Sequence, residues 1–416
     1  MKFHILLLLT TLVTGGGTAF CEPVLPENLA EQKASTQKLT PHQDGMLVES
    51  DPIYAPARYM FARFEATEMS AMKIDGIESL LDVEKGASGR IFLGLVEPTE
   101  GVLKFVISGE MADAKLRSLP IPEEFDAILA KDEPGIGLRL IGTTHEAAAI
   151  IDDVVWWLDK TWKKRKLPKV PKFHDEFLSD EPYSAHWFLD DTILYGGWNH
   201  GEWGGALASI DLGAADSTWV QLSGKPIKDD SGIPENDPVQ SIVSARQGEL
   251  WVATGSSHMG GTWRGLYHRE PSGKWQTLIH GDSGEDSGEL KPFISAIDAL
   301  ALDREGSLFL LAGSAGIYRM KDSALEPVIA YDFHSHLFDQ DDYTIGSTPS
   351  EIAVARNGDI FVSTNCLGIL AFRKTSNQWH GKQIVFPKQQ DKKDDPEKKP
   401  DADNPPTQPG SPTEEK

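Results

Sequence analysis

Five histidines occur at positions that could bring their side chains together. Three follow a glycine by three residues, in the segments Gly142–His145, Gly197–His200 and Gly255–His258. Two more, His334 and His336, are separated by one serine and are followed by aspartates. Imidazoles combined with carboxylates are ligands for zinc, copper, manganese or iron. The pattern predicts one divalent metal ion, with His145, His200, His258, His334 and His336 as its candidate ligands.

Such a metal ion would supply catalytic chemistry. An ion with an open coordination position acts as a Lewis acid or lowers the pKa of a bound water molecule, which is the chemistry of a lyase or hydrolase. A simpler alternative is that duplicated units share a histidine at a turn, where its imidazole bonds to the backbone. Both interpretations stay open at this point.

Tryptophans close to His200 indicate a second kind of site. Trp198 and Trp203 flank this histidine in the glycine-rich segment GGWNHGEWGG, and loops carry binding residues more often than regular elements do. We therefore expect Trp198, His200 and Trp203 to contact a ligand. Other tryptophans lie near the basic stretch 160–172, which is either a site for an anionic polymer or, as charge runs more often are, a solvated strand face.

These side chains need repeated elements to position them, and three segments of the chain align with one another. The segments begin at Val239, Ile297 and Pro349. Each holds an alternating apolar strand, a polar turn and a second strand, and a period of two is typical of β-strands. A glycine in each turn permits the positive φ of a tight hairpin. The turn glycines are Gly248, Gly306 and Gly358.

Weaker copies of this unit begin at Ile77, Phe125 and Ser184. Four antiparallel strands in each unit, repeated about every 50 residues, are typical of a β-propeller blade. The sequence predicts an all-β fold, a propeller of six four-stranded blades, or of seven if the strand-like stretch 59–67 belongs to a further blade. Each of the three Gly-x-x-His segments is expected after the second strand of its blade, which would place all five histidines on one rim.

The repeats resemble those of the propellers in the extracellular sensor regions of bacterial two-component regulators. The shared pattern is an apolar strand, a glycine-containing turn, the motif Leu-Trp/Phe-Val-x-Thr and a Gly-Leu/Ile-Tyr strand. The best examples are DREGSLFLLAGSAGIYR, from Asp303, and RQGELWVATG, from Arg246. The resemblance covers residues 77–386. It implies the propeller fold and little about activity, because no kinase or regulator module accompanies the repeats here.

The two ends of the chain differ in composition from its middle. Residues 1–19 have the charged, apolar and small-residue zones of a signal peptide, which predicts cleavage after Ala19. We expect an extended linker at 20–55, the propeller at 56–386 and a disordered tail rich in Pro, Lys and Asp at 387–416. The protein is therefore predicted to be exported, to a periplasmic or extracellular location.

Composition excludes several classes of protein. The 63 acidic and 40 basic residues give a net charge of -23, which disfavours general nucleic-acid binding because phosphate contacts need a basic surface. No other segment is apolar over the roughly 20 residues of a membrane helix. The chain has 2 cysteines, and Cys366, within an apolar run, is expected to be a buried, unreactive thiol.

The leading functional hypothesis is a binding module that presents one rim of the propeller to a glycan, a small molecule or a protein. The alternative from a different class is a metal-dependent lyase or hydrolase, with a polysaccharide among its candidate substrates. A third hypothesis is a structural protein of the cell envelope. Strong catalytic motifs, such as a phosphate-binding loop or a zinc helix, are absent from the sequence.

Overall fold

The computed structural model describes most of the region between residues 23 and 387. The described residues are 23–26, 29–32, 36–42, 44–50, 59–71, 79–86, 89–95, 103–108, 117–119, 122, 124, 138–170, 184–201, 204–223, 237–258, 261–282, 296–321, 324–335, 337–340, 343–346 and 348–387.

Within these residues the chain forms seven antiparallel sheets, each built from four strands that follow one another along the chain. We number the sheets blades 1 to 7. A short strand, β10, leaves blade 3 and pairs in parallel with the first strand of blade 4. Blades 1 to 4 contain β1 Thr36–His42, β2 Gly45–Ser50, β3 Tyr59–Ala62, β4 Ser70–Ala71; β5 Ser79–Gly86, β6 Gly89–Leu95, β7 Leu103–Ser108, β8 Arg117–Leu119; β9 Leu138–Leu140, β10 Gly142–Thr143, β11 Ala147–Ile151, β12 Val154–Leu158, β13 Trp162–Lys166; and β14 Ser184–Asp190, β15 Ile193–Asn199, β16 Gly205–Asp211, β17 Val220–Gln221.

The last three blades contain the strongest sequence repeats. A two-stranded hairpin, β26–β27, lies between blades 6 and 7 and follows one turn of 3-10 helix at Phe333–Ser335. The strands are β18 Val239–Val243, β19 Leu250–His258, β20 Gly261–Arg269, β21 Trp275–Asp282; β22 Ala299–Leu302, β23 Leu308–Ala312, β24 Gly316–Lys321, β25 Ala324–Ile329; β26 Leu337–Gln340, β27 Tyr343–Gly346; and β28 Pro349–Val354, β29 Ile360–Thr364, β30 Gly368–Thr375, β31 Gln378–Ile384.

The first strands of the blades form the inner wall of a ring. In sequence order they are β1, β5, β9, β14, β18, β22 and β28. Strand β5 contacts β9, β14 contacts β18, β18 contacts β22, β22 contacts β28, and β28 returns to β1. Lys38 on β1 is paired with Glu84 on β5, and Arg139 on β9 bonds to the backbone of β14. The space that these seven strands enclose is called the axial channel below.

This architecture confirms the predicted β-propeller, and each of the six predicted units corresponds to a four-stranded sheet. The stretch at 59–67, which the sequence left unassigned, contributes β3 to a further sheet, blade 1. The turn glycines Gly248, Gly306 and Gly358 have φ values of +80°, +84° and +87°, as tight turns require.

The predicted linker at 20–55 requires correction. Residues 36–50 contain β1 and β2, which pair with each other and with β3. The side chains of Met46, Leu47 and Val48 are almost completely buried. These strands contain few apolar residues. The sequence without the neighbouring strands therefore does not identify them as part of the propeller.

Residues before β1 also pack against the ring. The backbone of Val24 exchanges hydrogen bonds with Trp379 and Gly381 on β31, and Leu25 and Leu29 pack against the apolar cluster between blades 6 and 7. Met69 and Val385 are joined by a further backbone hydrogen bond. Because each blade is built from one continuous part of the chain, these contacts hold the two ends of the ring together.

Apolar clusters fill the spaces between neighbouring blades. Phe188 and Val252 belong to the cluster between blades 4 and 5, and Phe361 and Met46 to the one between blades 7 and 1. Cys366 is 4% exposed, which confirms the expected buried cysteine, and burial raises the pKa of its thiol to about 11. No helix among the described residues has the length and hydropathy that crossing a membrane requires.

Candidate functional site

The ends of the blades define two rims. Successive strands of a blade run in opposite directions, so turns after the first and third strands lie at one end, called the hairpin rim. Turns after the second strand lie at the other end with the connections between blades, and this end is called the linker rim. The axial channel runs between the two rims.

The structure separates His145 from the other predicted metal ligands. It lies between β9 and β11, the first and second strands of blade 3, and therefore on the hairpin rim. Its Nε2 donates to the carbonyl oxygen of Asp191 at 2.6 Å, in the corresponding turn of blade 4. The prediction that His145 shares a rim with His200 is wrong; as the simpler alternative expected, its imidazole bonds to the backbone.

The remaining predicted ligands belong to the linker rim. His200 follows β15, the second strand of blade 4, and its backbone N–H donates to Gly204 at 2.9 Å. His258 ends β19, the second strand of blade 5, and His334 lies in the connection after blade 6. His336 and the side chain of His258 lie outside the described residues. Among the described side chains, no group of three or more His, Cys, Asp or Glu could hold a metal ion.

His334 has an unusual environment at this rim. Its Nε2 is buried and has no hydrogen-bond partner among the described atoms. The ring lies against Gly313, where a Cβ would approach Nε2 to 2.5 Å and an oxygen of Asp298 to 2.9 Å. Burial raises the pKa of Asp298 to about 7, although the Gly313 N–H donates to it at 2.6 Å. An unpaired ring nitrogen thus lies near a carboxyl group that holds its proton tightly.

The predicted ligand-binding tryptophan Trp198 is a core residue. It is 6% exposed and makes edge-to-face contacts with Trp187 and Trp219, at centroid distances of 5.4 and 5.7 Å. As part of β15 it packs in the cluster between blades 3 and 4, so its predicted contact with a ligand is corrected. Trp203 lies outside the described residues.

The basic stretch also has a structural role where it is described. Residues 162–166 form β13, the outermost strand of blade 3. Lys163, Lys164 and Lys166 pair with carboxylates at 2.7–3.0 Å, and Arg165 donates to the backbone of the next blade. This is the solvated strand face that the sequence favoured.

A different set of titratable side chains meets in the axial channel. They come from the first strands of blades 1, 2, 3, 4 and 7. Lys38 and Glu84 form an ion pair at 2.5 Å, and an Nη of Arg139 donates to the carbonyl oxygen of Ala185 at 3.2 Å. The members of this set, called the axial cluster, are Lys38, Glu84, Arg139, His186 and Glu351.

The pKa values of the axial cluster show that its members act on one another. Burial and, to a smaller extent, the positive charges of Arg139 and Lys38 lower the pKa of His186 to about 4, and the charge of Glu84 opposes them. Burial raises the pKa of Glu351 to about 7; Lys38 opposes this rise and Glu84 adds to it. His186 and Glu351 are each only partly buried by surface area. Protein surrounds them closely while some solvent reaches them, as in a narrow channel.

The sequence interpretation missed the axial cluster. The repeat pattern by itself assigns no role to His186 or Glu351. The available signal was a titratable residue inside an otherwise apolar first strand, such as Glu351 in PSEIAV. That signal shows which residues are unusual, but only the closed ring shows that they approach one another.

Comparison with known proteins finds similar solved structures and no family. No family model matches the chain, and no curated protein matches it. Similar solved structures include the extracellular domain of the BT4673 one-component system from B. thetaiotaomicron, with 13% identity, a TM-score of 0.40, and coverage of 84% of this chain and 40% of that one. The same domain, described as a hybrid two-component system, matches with 14% identity, a TM-score of 0.37, and coverage of 86% and 40%.

A third match is YCF48 bound to D1 peptide, with 11% identity, a TM-score of 0.37, and coverage of 76% of this chain and 83% of that one. The chain spans about 40% of the length of the two BT4673 structures.

Proposed function

We propose that this protein is an exported binding module that presents its linker rim and takes a small charged ligand into the axial channel. The observation that carries the proposal is the convergence of charged and titratable side chains from five first strands on the axis. Partly desolvated charges cost stability unless they are well paired. Apolar residues at these positions would stabilise the ring more, which favours a role in binding.

Polar groups near the linker rim favour entry from this end of the channel. Asp298 immediately precedes β22, at the end of the first strand that faces this rim. The unpaired Nε2 of His334 lies close by, beside Gly313. A ligand entering here would meet hydrogen-bonding groups before it reaches the axial cluster.

Thermal unfolding in the presence of small probes tests this proposal. The probes are acetate, succinate, inorganic phosphate, ammonium and guanidinium at matched ionic strength, with glucose and glycerol as neutral compounds. We expect at least one charged probe to raise Tm by ligand linkage, and the neutral compounds to leave it unchanged. The double variant Lys38→Met, Glu84→Gln, which removes the channel ion pair, should lose that response.

The chain offers a matched control for this double variant. Lys321 and Glu326 form an ion pair at 3.3 Å on the outer strands of blade 6, and the variant Lys321→Met, Glu326→Gln should keep the full response. If no charged probe raises Tm, or if the channel variant keeps the response, the proposal is wrong.

Export is the part of the proposal that rests on composition alone. Residues 1–19 have the zones of a signal peptide, and the propeller would then act in the periplasm or outside the cell. N-terminal sequencing of protein from the envelope fraction should begin at Phe20. A mature protein that retains Lys2 would contradict the predicted cleavage. The disordered tail proposed for residues 387–416 lies almost entirely outside the described residues.

A metal-dependent lyase or hydrolase is the second candidate function, and the unpaired Nε2 of His334 favours it. An imidazole nitrogen with no partner is available to a metal ion, and His200, His258 and His336 are the proposed companions on the linker rim. Zinc binding measured by elemental analysis tests this function. Stoichiometric zinc that His334→Ala abolishes would support it, and metal-free protein after loading with zinc would exclude it.

A further inference from the structure

We infer that the ligand of the axial channel is a small oxyanion, carrying a carboxylate or phosphate group, that binds the guanidinium of Arg139 beside Lys38 and His186. The inference rests on the proposed binding function and gives that function a ligand class.

Arg139 is exposed and has donors beyond the one that bonds to Ala185. One Nη donates to Ala185 on the first strand of the next blade. Among the described residues, Ala185 is the hydrogen-bond partner of the Arg139 guanidinium. No carboxylate among these residues lies within ion-pair distance of the guanidinium. A guanidinium has five N–H donors in a fixed plane. The edge formed by Nε and the second Nη presents two parallel donors, which fit two oxygens of a carboxylate or phosphate.

The other members of the axial cluster do not fully neutralise the positive charge of Arg139. Lys38 and Glu84 neutralise each other through their ion pair. Burial holds the Glu351 carboxyl partly protonated near neutral pH, with its pKa raised to about 7, and His186 is neutral there because its pKa is lowered to about 4. The cluster therefore carries a net positive charge at the axis of between about one half and one, depending on the protonation of Glu351, in a protein whose total charge is -23.

These features favour an anion over a cation. A cationic ligand would need an ionised carboxylate, but Glu84 already pairs with Lys38 and burial opposes ionisation of Glu351. An oxyanion would pair with Arg139, and the positive charge of Lys38 would attract it. The protonated form of Glu351 would add a hydrogen-bond donor.

NMR spectroscopy of the His186 imidazole tests the inference directly. His186→Gln assigns its resonance. The titrants are acetate, succinate and inorganic phosphate, each against sodium chloride of equal ionic strength. We expect a saturable shift of the resonance, together with a rise in the His186 pKa of about 1 unit, because a nearby negative charge stabilises the imidazolium. Comparison of phosphate with the two carboxylates distinguishes the two oxyanion groups.

Arginine variants link the shift to the proposed contact. Arg139→Gln should abolish the response and Arg139→Lys, which keeps the charge but loses the paired donors, should weaken binding about tenfold. Arg356→Gln is the matched control, because Arg356 is an exposed arginine in the turn before β29, and it should respond as the wild type does.

Each other outcome counts against the inference in a different way. A response that survives in Arg139→Gln shows that the anion binds elsewhere. Guanidinium and ammonium are titrated in the same way. If one of them shifts the His186 resonance and no oxyanion does, the channel binds cations: the ligand class is wrong and the binding function stands. If neither anions nor cations shift it, both proposals fail.

Discussion

Replacing Glu351 by glutamine should stabilise the protein at alkaline pH. Burial raises the pKa of this carboxyl group from 4.5 to about 7, so the folded protein holds the proton more tightly than the unfolded chain does. Unfolding therefore releases a proton between these two pH values, and stability falls as the pH rises from about 4.5 through 7. Glutamine has a similar shape and cannot ionise, so this loss should disappear.

The size of the effect follows from the shift. A rise in pKa from 4.5 to about 7, at about 1.4 kcal/mol per unit, corresponds to about 3 kcal/mol. Partial solvent access to Glu351 screens its charge, so we expect about 2 kcal/mol. Glu351→Gln should be more stable than the wild type by about that amount at pH 8, and the difference should be much smaller at pH 4.5.

Urea denaturation of both proteins at pH 4.5 and pH 8 measures this difference. Glu305→Gln is the control, because Glu305 is exposed in the turn between β22 and β23, and its stability should change by less than about 0.5 kcal/mol. If Glu351→Gln is equally stable or less stable than the wild type at pH 8, the carboxylate is well stabilised in the channel. The reasoning about the axial cluster would then be refuted.

Three further substitutions test other parts of the structure by urea denaturation. Arg373 contacts the buried carboxylate of Asp359 through two nitrogens. Arg373→Met leaves this carboxylate without its charged partner and should destabilise the protein by about 3–5 kcal/mol; a loss below about 1 kcal/mol would contradict this. Trp198→Ala removes a core side chain and should lower the free energy of unfolding by about 3–5 kcal/mol. Trp263→Ala, at a position 40% exposed, should lower it far less. Equal losses for the two variants would contradict the core position of Trp198. Leu25→Ala should cost about 2 kcal/mol if the N-terminal segment holds blade 7, and no loss would show that it does not.

The sequence predicted the fold because the blades are locally encoded. In the units that begin at Val239, Ile297 and Pro349, alternating apolar residues and a turn glycine specify each hairpin without reference to distant residues. Blade 1 was predicted less well, because β1 carries Thr36, Lys38 and His42 and has few apolar residues. Its burial depends on contact with β28 from the other end of the chain.

The error at His145 has a specific structural cause. The first strand of blade 3 ends at Leu140, and β10 then crosses to pair with β14 of the next blade. In the sequence, the run Leu138–Thr143 looks like one strand followed by a turn, and the repeat pattern predicts it as the second strand of its blade. The second strand is instead β11, whose alanine-rich sequence AAAII the pattern predicts as the third. One misplaced strand moves a loop from one rim to the other.

The axial cluster could not be predicted in the same way. Lys38 and Glu351 lie at opposite ends of the propeller sequence, yet Lys38 acts on the pKa of Glu351. This proximity exists only when the ring closes and β28 contacts β1. A period of two assigns a residue to one face of a strand, but it contains no information about which distant strand that face will meet.

The position of the axial cluster also explains why it can be specialised for binding. The apolar clusters that hold the ring together lie between neighbouring blades, so residues at the axis contribute little to that packing. A charged residue at the axis therefore costs desolvation without opening a cavity between blades. Trp198 is under the opposite constraint, because it fills the space between blades 3 and 4. In this propeller, substitutions in the axial cluster should change ligand binding and pH dependence, and substitutions between blades should change stability.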